Sequence, residues 1–178
     1  MLSGKTIDKL KLIKKYIDKK IQIQPSGVDL TVKSIYEWQD RGVIDFDNSQ
    51  RQLPKIKEVK IVNEYFHLPF GSYLLEFNEE FEIPYNISGF VLSRSSLNRS
   101  GAFVVGGLID PGYKGVIALM LNVSSAFGIN IKTNARVAQV IFYETDSNDM
   151  TNIYDGKYKN KNIKDLHAND LPFGKGNI

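Results

Sequence analysis

The chain has 178 residues, 42% of them hydrophobic and 24% charged, with a formal net charge of +3; these are globular proportions, and they exclude a disordered, collagenous or coiled-coil chain. No apolar run reaches the roughly 18 residues that cross a bilayer, and the start, MLSGKTIDKLKLIKK, has no apolar centre of an export signal, so a soluble, cytoplasmic protein without a membrane partner is expected. With no cysteine and only two histidines, His67 and His167, disulfides, thiolate zinc sites and cysteine nucleophiles are excluded, which leaves carboxylates, hydroxyls, amides and bound ions to do any chemistry.

The length fits a single domain over residues 1–178. Ile7, Leu10, Ile13, Tyr16 and Ile17 recur at helical spacing with Ser3 placed as a cap, so one amphipathic N-terminal helix is predicted within residues 1–20. From Ile21 the period changes. Nine short runs follow: IQIQ, VDLTV, KEVKIV, SYLLEF, GFVLS, AFVVGG, VIALMLNV, GINIKT and ARVAQVIFY, separated by Pro, Gly, Asn and Ser. The pattern predicts a mainly β protein, a sandwich, jelly roll or small barrel. Val116 to Val123 is apolar on both faces, as in a strand buried in a closed core or against another subunit. After Thr145 the apolar pattern fades, and residues 146–178 read as an arm or lid that orders against a ligand or a neighbour.

Charge is distributed unevenly. Between residues 83 and 143 the only carboxylate is Asp110, against the cations Arg94, Arg99, Lys114, Lys132 and Arg136, and half of the glycines lie there too. Such a stretch suits a pocket for a small polyanion such as a phosphate chain; it also suits strands that are simply interior. The net excess is too small to argue for nucleic acid as a partner. SRSSLNRSG, Ser93 to Gly101, is rich in donors for phosphate oxygens and equally reads as a polar loop with a helix cap. GGLIDPGYKG has Asp-Pro-Gly in the order of a type II turn, a hairpin tip that carries Asp110 and Tyr113. ARVAQVIFY is a buried strand interrupted by Arg136 and Gln139, while Lys157 and Tyr158 in the tail read as a phosphate clamp or a solvated segment. Trp38, His67 and His167 read as structural.

Taken in order, MLSGKTI, IQIQPSGVDLTV, LPFGSYLLEFNEEFEIPYNISGFVLSRSSLNRSG, GGLIDPGYKGVIALMLN, ARVAQVIF and YDGKYKNK resemble the family that joins dCTP deaminases with trimeric dUTPases, over roughly Met1 to Lys161. QPSGVDL and YDGKY resemble the deaminase branch. The resemblance implies a jelly-roll-like distorted β-barrel assembled as a homotrimer with active sites between subunits. It implies that Arg94, Ser95, Ser96 and Arg99 hold a triphosphate with help from Gln139, and that Asp110 contacts the sugar and polarises water. Tyr113 would pack on the deoxyribose, Lys157 and Tyr158 would cover the triphosphate, and Asp29 would support magnesium through water. LPFGKG near the end resembles the glycine-rich lid of compact dUTPases, with Phe173 stacking on the base.

Family deaminases carry a glutamate ten residues after the aspartate of the turn, to move protons at the base. Here that position is Met120, and no acid lies between Asp110 and Glu144. The expectation is therefore a dUTP diphosphatase with Mg2+ carried on the substrate and Asp110 activating water. The alternatives are a dCTP deaminase, a bifunctional enzyme, or a nucleotide-binding trimer without catalysis.

Overall fold

The computed structural model describes residues 1–146, 154–156 and 158–168. The N-terminal third contributes α1 (Gly4–Lys9), β1 (Ile13–Lys14), α2 (Lys19–Gln22), β2 (Ile23–Gln24), β3 (Gly27–Trp38), β4 (Ile56–Glu58) and β5 (Ile61–Val62). Then come β6 (Tyr65–Leu68), β7 (Gly71–Glu82), β8 (Ile87–Ser93), α3 (Ser95–Arg99), β9 (Ala102–Val104) and β10 (Leu108–Ile109). Strands β11 (Lys114–Val123), β12 (Ile129–Lys132) and β13 (Arg136–Glu144), with helix α4 (Ile163–Leu166), complete the described chain. The main antiparallel sheet runs β10-β8-β13-β3-β7-β11-β9, and a small one runs β12-β6-β5. The architecture is mainly β, as the alternating runs predict, and the antiparallel sheet curls into a half-barrel in keeping with the distorted barrel that the resemblance implies.

The sheet curls around a single apolar filling. Along β7, Tyr73, Leu75, Phe77 and Phe81 alternate inward, as period-2 patterning demands. They meet Val32 and Ile35 of β3 and Phe142 of β13 in one cluster. Phe77 and Phe142 are fully buried, and truncating either to Ala in such a setting costs about 3–5 kcal/mol. Strand β3 joins the two halves: its first part pairs with β13 and its second with β7. Where β3 leaves β7, the freed polar groups are taken up locally. The Asn78 amide donates to Thr31 Oγ1 and Val32 O, and Glu79, with no solvent exposure, accepts from Thr31 N, Thr31 Oγ1 and Gln22 Nε2. Burial pushes the Glu79 carboxyl above its ordinary range, opposed by those hydrogen bonds.

The N-terminal segment differs from expectation. Instead of one helix over residues 1–20, α1 is a short turn capped by Ser3, whose Oγ accepts from Thr6 N, and it ends at Lys9, two residues before Lys11 takes φ 56°. Two short helical turns flank a strand because tertiary pairing outweighs propensity. The end of β7 is unpaired on the side that β3 abandons, and β1 fills it with Ile13 opposite Phe81 and Lys14 opposite Glu80. Of the predicted stripe Ile7 and Ile13 are buried but Leu10 and Ile17 stay exposed, while Leu12, outside the stripe, is buried. The IQIQ run is likewise split, its first half closing α2 under the Asp18 cap. Of the expected arm over residues 146–178, the described part packs against the body, and the remainder lies outside the described residues. Among the described residues no helix is long and apolar enough to cross a membrane.

Glu82 fastens this edge. It pairs with Lys14 on one neighbour strand and with Lys114 Nζ at 2.8 Å on the other. Lys114 first and Lys14 second hold its carboxyl down to about 2 from the ordinary 4.5. A carboxyl that ionises more easily folded than unfolded contributes stability above its ordinary value and loses it as pH falls. Glu82→Gln is therefore expected to melt lower than wild type at pH 7, with the gap closing between pH 4.5 and about 2; scanning calorimetry across that window checks it, and a gap independent of pH would contradict it.

Candidate active site

The Asp110-Pro111-Gly112-Tyr113 segment forms the turn that its residues call for. Tyr113 N donates to Asp110 O at 3.1 Å, and Gly112 takes φ 81°, which a type II turn requires and a side chain would strain. The tip is anchored to the body through Gly112 N to Ile83 O and Ile83 N to Tyr113 O. Asp110 is exposed at this tip and faces a cavity of about 500 Å³, whose wall also includes Trp38, Tyr113, Ile117, Leu119 and Tyr158. Pairing of β11 with β7 shifts register between Val116 and Ala118. That bulge turns the strand locally, so consecutive residues 116–119 all reach the cavity.

Tyr113 is held firmly. Its hydroxyl donates to Val116 O at 2.7 Å, and its ring meets Tyr154 edge-on at 5.4 Å. Burial, then the neighbouring Tyr154, pushes its hydroxyl up to about 12. Tyr154 is raised too, by burial first and by the negative charge of Asp110 among lesser causes. The tail follows the hairpin through Tyr154 N to Pro111 O and Asn160 N to Lys114 O. It is fixed further along by Lys164 to Glu58 at 2.7 Å and by His167 Nδ1, which donates to Pro54 O at 2.6 Å. The Arg51 guanidinium lies 5.4 Å from the Tyr158 ring. Lys157 and Phe173 lie outside the described residues.

The remaining expected site residues gather elsewhere. Arg94 is the N-cap of α3, with Ser95, Ser96 and Arg99 exposed along that turn. Arg94 N donates to Val137 O, and Gln139, half-buried, sits directly across from Asp29 on β3. Asp29 itself is 2% exposed, with Arg94 Nε at 3.2 Å and Arg136 Nη1 at 3.0 Å from its Oδ2. Burial pushes its carboxyl up while the two guanidiniums pull it down. A carboxylate so enclosed and engaged is a poor support for hydrated magnesium, which keeps its waters and needs room for them. The expected role of Asp29 toward Mg2+ is therefore not one this geometry fits.

Two separate clusters result. None of Arg94, Ser95, Ser96, Arg99 or Gln139 lines the cavity that Asp110 faces. Register explains why: Ile109 pairs with Gly89 near the start of β8, whereas Arg94 follows its end. At about 3.3 Å per residue, Asp110 and Arg94 stand on the order of 20 Å apart within one chain. Among the described residues, four of the five cations of residues 83–143 are paired with acids. Arg94 and Arg136 serve Asp29, Lys114 serves Glu82 and Lys132 serves Glu64, all of them acids from outside residues 83–143. Trp38, Tyr154 and His167 are additions to the cavity wall that no local pattern marked, because they reach it from distant parts of the chain.

Residues 1–145 match the family model described as dCTP deaminase-like. The chain is 39% identical over 154 residues to the probable deoxyuridine 5'-triphosphate nucleotidohydrolase of Methanosarcina acetivorans, spanning 86% of this chain and 90% of that protein. It is 38% identical over 167 residues to the probable deoxyuridine 5'-triphosphate nucleotidohydrolase of Archaeoglobus fulgidus, 92% and 98% of the two chains. The deoxyuridine 5'-triphosphate nucleotidohydrolase of Methanocaldococcus jannaschii is 37% identical over 142 residues, 79% and 88%. A solved 2'-deoxycytidine 5'-triphosphate deaminase from Agrobacterium tumefaciens shares the fold, with a TM-score of 0.62 and 22% identity over 79% of this chain and 46% of that one. A family match across four fifths of its length, carried on this sheet and this aspartate-tipped hairpin, makes the chain a member of the dCTP deaminase-like family.

Proposed function

We propose that the protein is a dUTP diphosphatase that converts dUTP to dUMP and diphosphate. The observation that carries the reading is the cavity wall: among the described residues that line it, Asp110 is the only carboxylate. Met120, where family deaminases place their glutamate, is 38% exposed and is not part of that wall. A thioether moves no proton, and the bulged strand presents Ile117 and Leu119 to the cavity in its place. His167 lines the same cavity, its Nδ1 donating to Pro54 O. Deamination needs a group that carries protons between water, ring nitrogen and departing ammonia. Phosphoanhydride cleavage needs only an aligned water, one acceptor for its proton and cations on the phosphates.

On this reading the Asp110 carboxylate takes a proton from water as its oxygen bonds the α-phosphorus. The bond from that phosphorus to the bridging oxygen breaks, and diphosphate leaves. Tyr113, locked by Val116 O and Tyr154, packs on the deoxyribose. Arg94, Ser95, Ser96, Arg99 and Gln139 hold the triphosphate, and Lys157 and Tyr158 cover it. Since those anion-binding groups stand on the order of 20 Å from Asp110 in one chain, a second copy brings them to the cavity. The homotrimer of the resembled family supplies such neighbours, and the exposed apolar side chains Leu92, Phe103, Val105, Leu108 and Met120 offer the surface that copies would bury. Magnesium fits as a passenger on the substrate phosphates, where it neutralises charge; among the described residues no cluster of three or more ligating side chains forms a cage for it.

Replacing Asp110 with Asn is expected to lower kcat for diphosphate release by about 10²–10⁴-fold while binding of a non-hydrolysable dUTP analogue changes only a few-fold. An Asn variant with wild-type turnover would remove Asp110 as the base. Incubated in parallel with dUTP and dCTP plus magnesium, the wild type should release diphosphate from dUTP and no ammonia from dCTP. Ammonia production would restore the deaminase reading.

A further inference from the structure

We infer that Asp29 is a positioning residue for the triphosphate grip, acting through Arg94 with Arg136 as its second counter-charge; the inference rests on the dUTP-hydrolysing reading above. Its basis is a register fault in β13. Opposite β3, Arg136 pairs with Thr31 and Gln139 with Asp29, with a shift between Arg136 and Ala138 that leaves Val137 as the extra residue. Thr31 and Asp29 are two apart on a strand and share a face. The bulge therefore brings Arg136 and Gln139, three apart and on opposite faces of a regular strand, to the same face as Asp29. Val137 O meanwhile accepts from Arg94 N, so the same bulge ties down the start of α3.

The side chains close around that fault. Asp29 Oδ2 lies 3.0 Å from Arg136 Nη1 and 3.2 Å from Arg94 Nε. Arg94 Nη1 donates to Arg136 O at 2.9 Å, and Arg136 Nη1 to Ile21 O at 3.1 Å. One edge of the Arg94 fork is thus clamped on a carboxylate and a carbonyl, while the side chain stays 26% exposed. A guanidinium has five N–H donors, and a phosphate meets the edge turned away from Asp29. The buried charge lets two cations sit side by side without repelling, and it fixes the rotamer of the one that reaches outward. A long flexible side chain held in its binding geometry loses less freedom on taking up an anion.

The test separates grip from fold. Asp29→Asn keeps the size of the side chain and removes its charge. Inorganic tripolyphosphate is expected to bind about tenfold more weakly, the scale of a lost charge-assisted contact, and KM for dUTP is expected to rise by a similar factor. The change in kcat should stay below about threefold. Deoxyuridine, which carries no phosphate, should inhibit the variant and the wild type equally. In the double variant with Arg94→Gln, tripolyphosphate binding should be no weaker than in Arg94→Gln alone, because Asp29 acts through that arginine. Unchanged tripolyphosphate binding, an equal loss for deoxyuridine, or additive effects in the double variant would each overturn the inference. If Asp29→Asn does not fold, Arg136→Lys carries the same comparison, with unchanged tripolyphosphate binding again the overturning result. A wild type that releases no diphosphate from dUTP would defeat the functional reading separately, since the tripolyphosphate comparison does not depend on turnover.

Discussion

The functional geometry depends on strand β8 being held in register along its whole length. β10 pairs with Gly89 and Phe90, and β13 runs beside it from Ile87 to Ser93. A slip of one residue would turn every side chain to the other face. So fixed, the strand acts as a spacer: the hairpin that presents Asp110 leaves from one end, and the Arg94 turn leaves from the other. Asp110 and the Arg94 turn are thereby displayed at opposite ends of one strand. On the proposed roles, association of copies would be what brings the two groups together. Leu92 on β8, Phe103 on β9 and Met120 on β11 are uncovered apolar side chains.

Charge within the molecule is balanced across long stretches of sequence. The cation-rich stretch from 83 to 143 looks unopposed in linear order, yet Asp29, Glu64 and Glu82 reach into it from the preceding strands. These pairs differ in kind. Lys132 with Glu64 and Lys114 with Glu82 are exposed and contribute modestly in salt solution. Asp29 is buried between two part-exposed arginines, so removing either arginine leaves its charge less compensated away from water. That difference makes the buried cluster a candidate for holding a functional group in place, while the exposed pairs mainly fasten edges of the sheet.

The N-terminal segment shows how a vacant backbone edge can override a local pattern. Apolar residues at helical spacing from Ile7 to Ile17 favour a helix, but β7 extends beyond the reach of β3 and leaves donors and acceptors open at Glu80 and Phe81. Pairing β1 there satisfies those groups, buries Leu12 and Ile13, and gives Lys14 and Lys15 carboxylates to meet. The cost is a left-handed backbone at Lys11 and Lys15. Gln22 completes the joint by donating to Glu79 and to Asp29 O while its own oxygen accepts from Ile17 N and Asp18 N.

What the linear chain determined by itself was local chemistry. Alternating apolar runs specify strands because a pleated backbone repeats every two residues. Asp-Pro-Gly specifies its turn because proline and glycine each favour one required dihedral, and the lack of an acid at position 120 is visible without coordinates. The tertiary structure decided everything that depends on which strand lies beside which. It put Asp29 between two arginines more than sixty residues away, set Trp38 and His167 on the wall of the Asp110 cavity, and broke the predicted helix in favour of an edge strand. The reason is common to all three. Bulges at Val137 and Ile117 and the early departure of β3 from β7 are properties of paired strands, and a single strand read alone has no partner against which a register can shift.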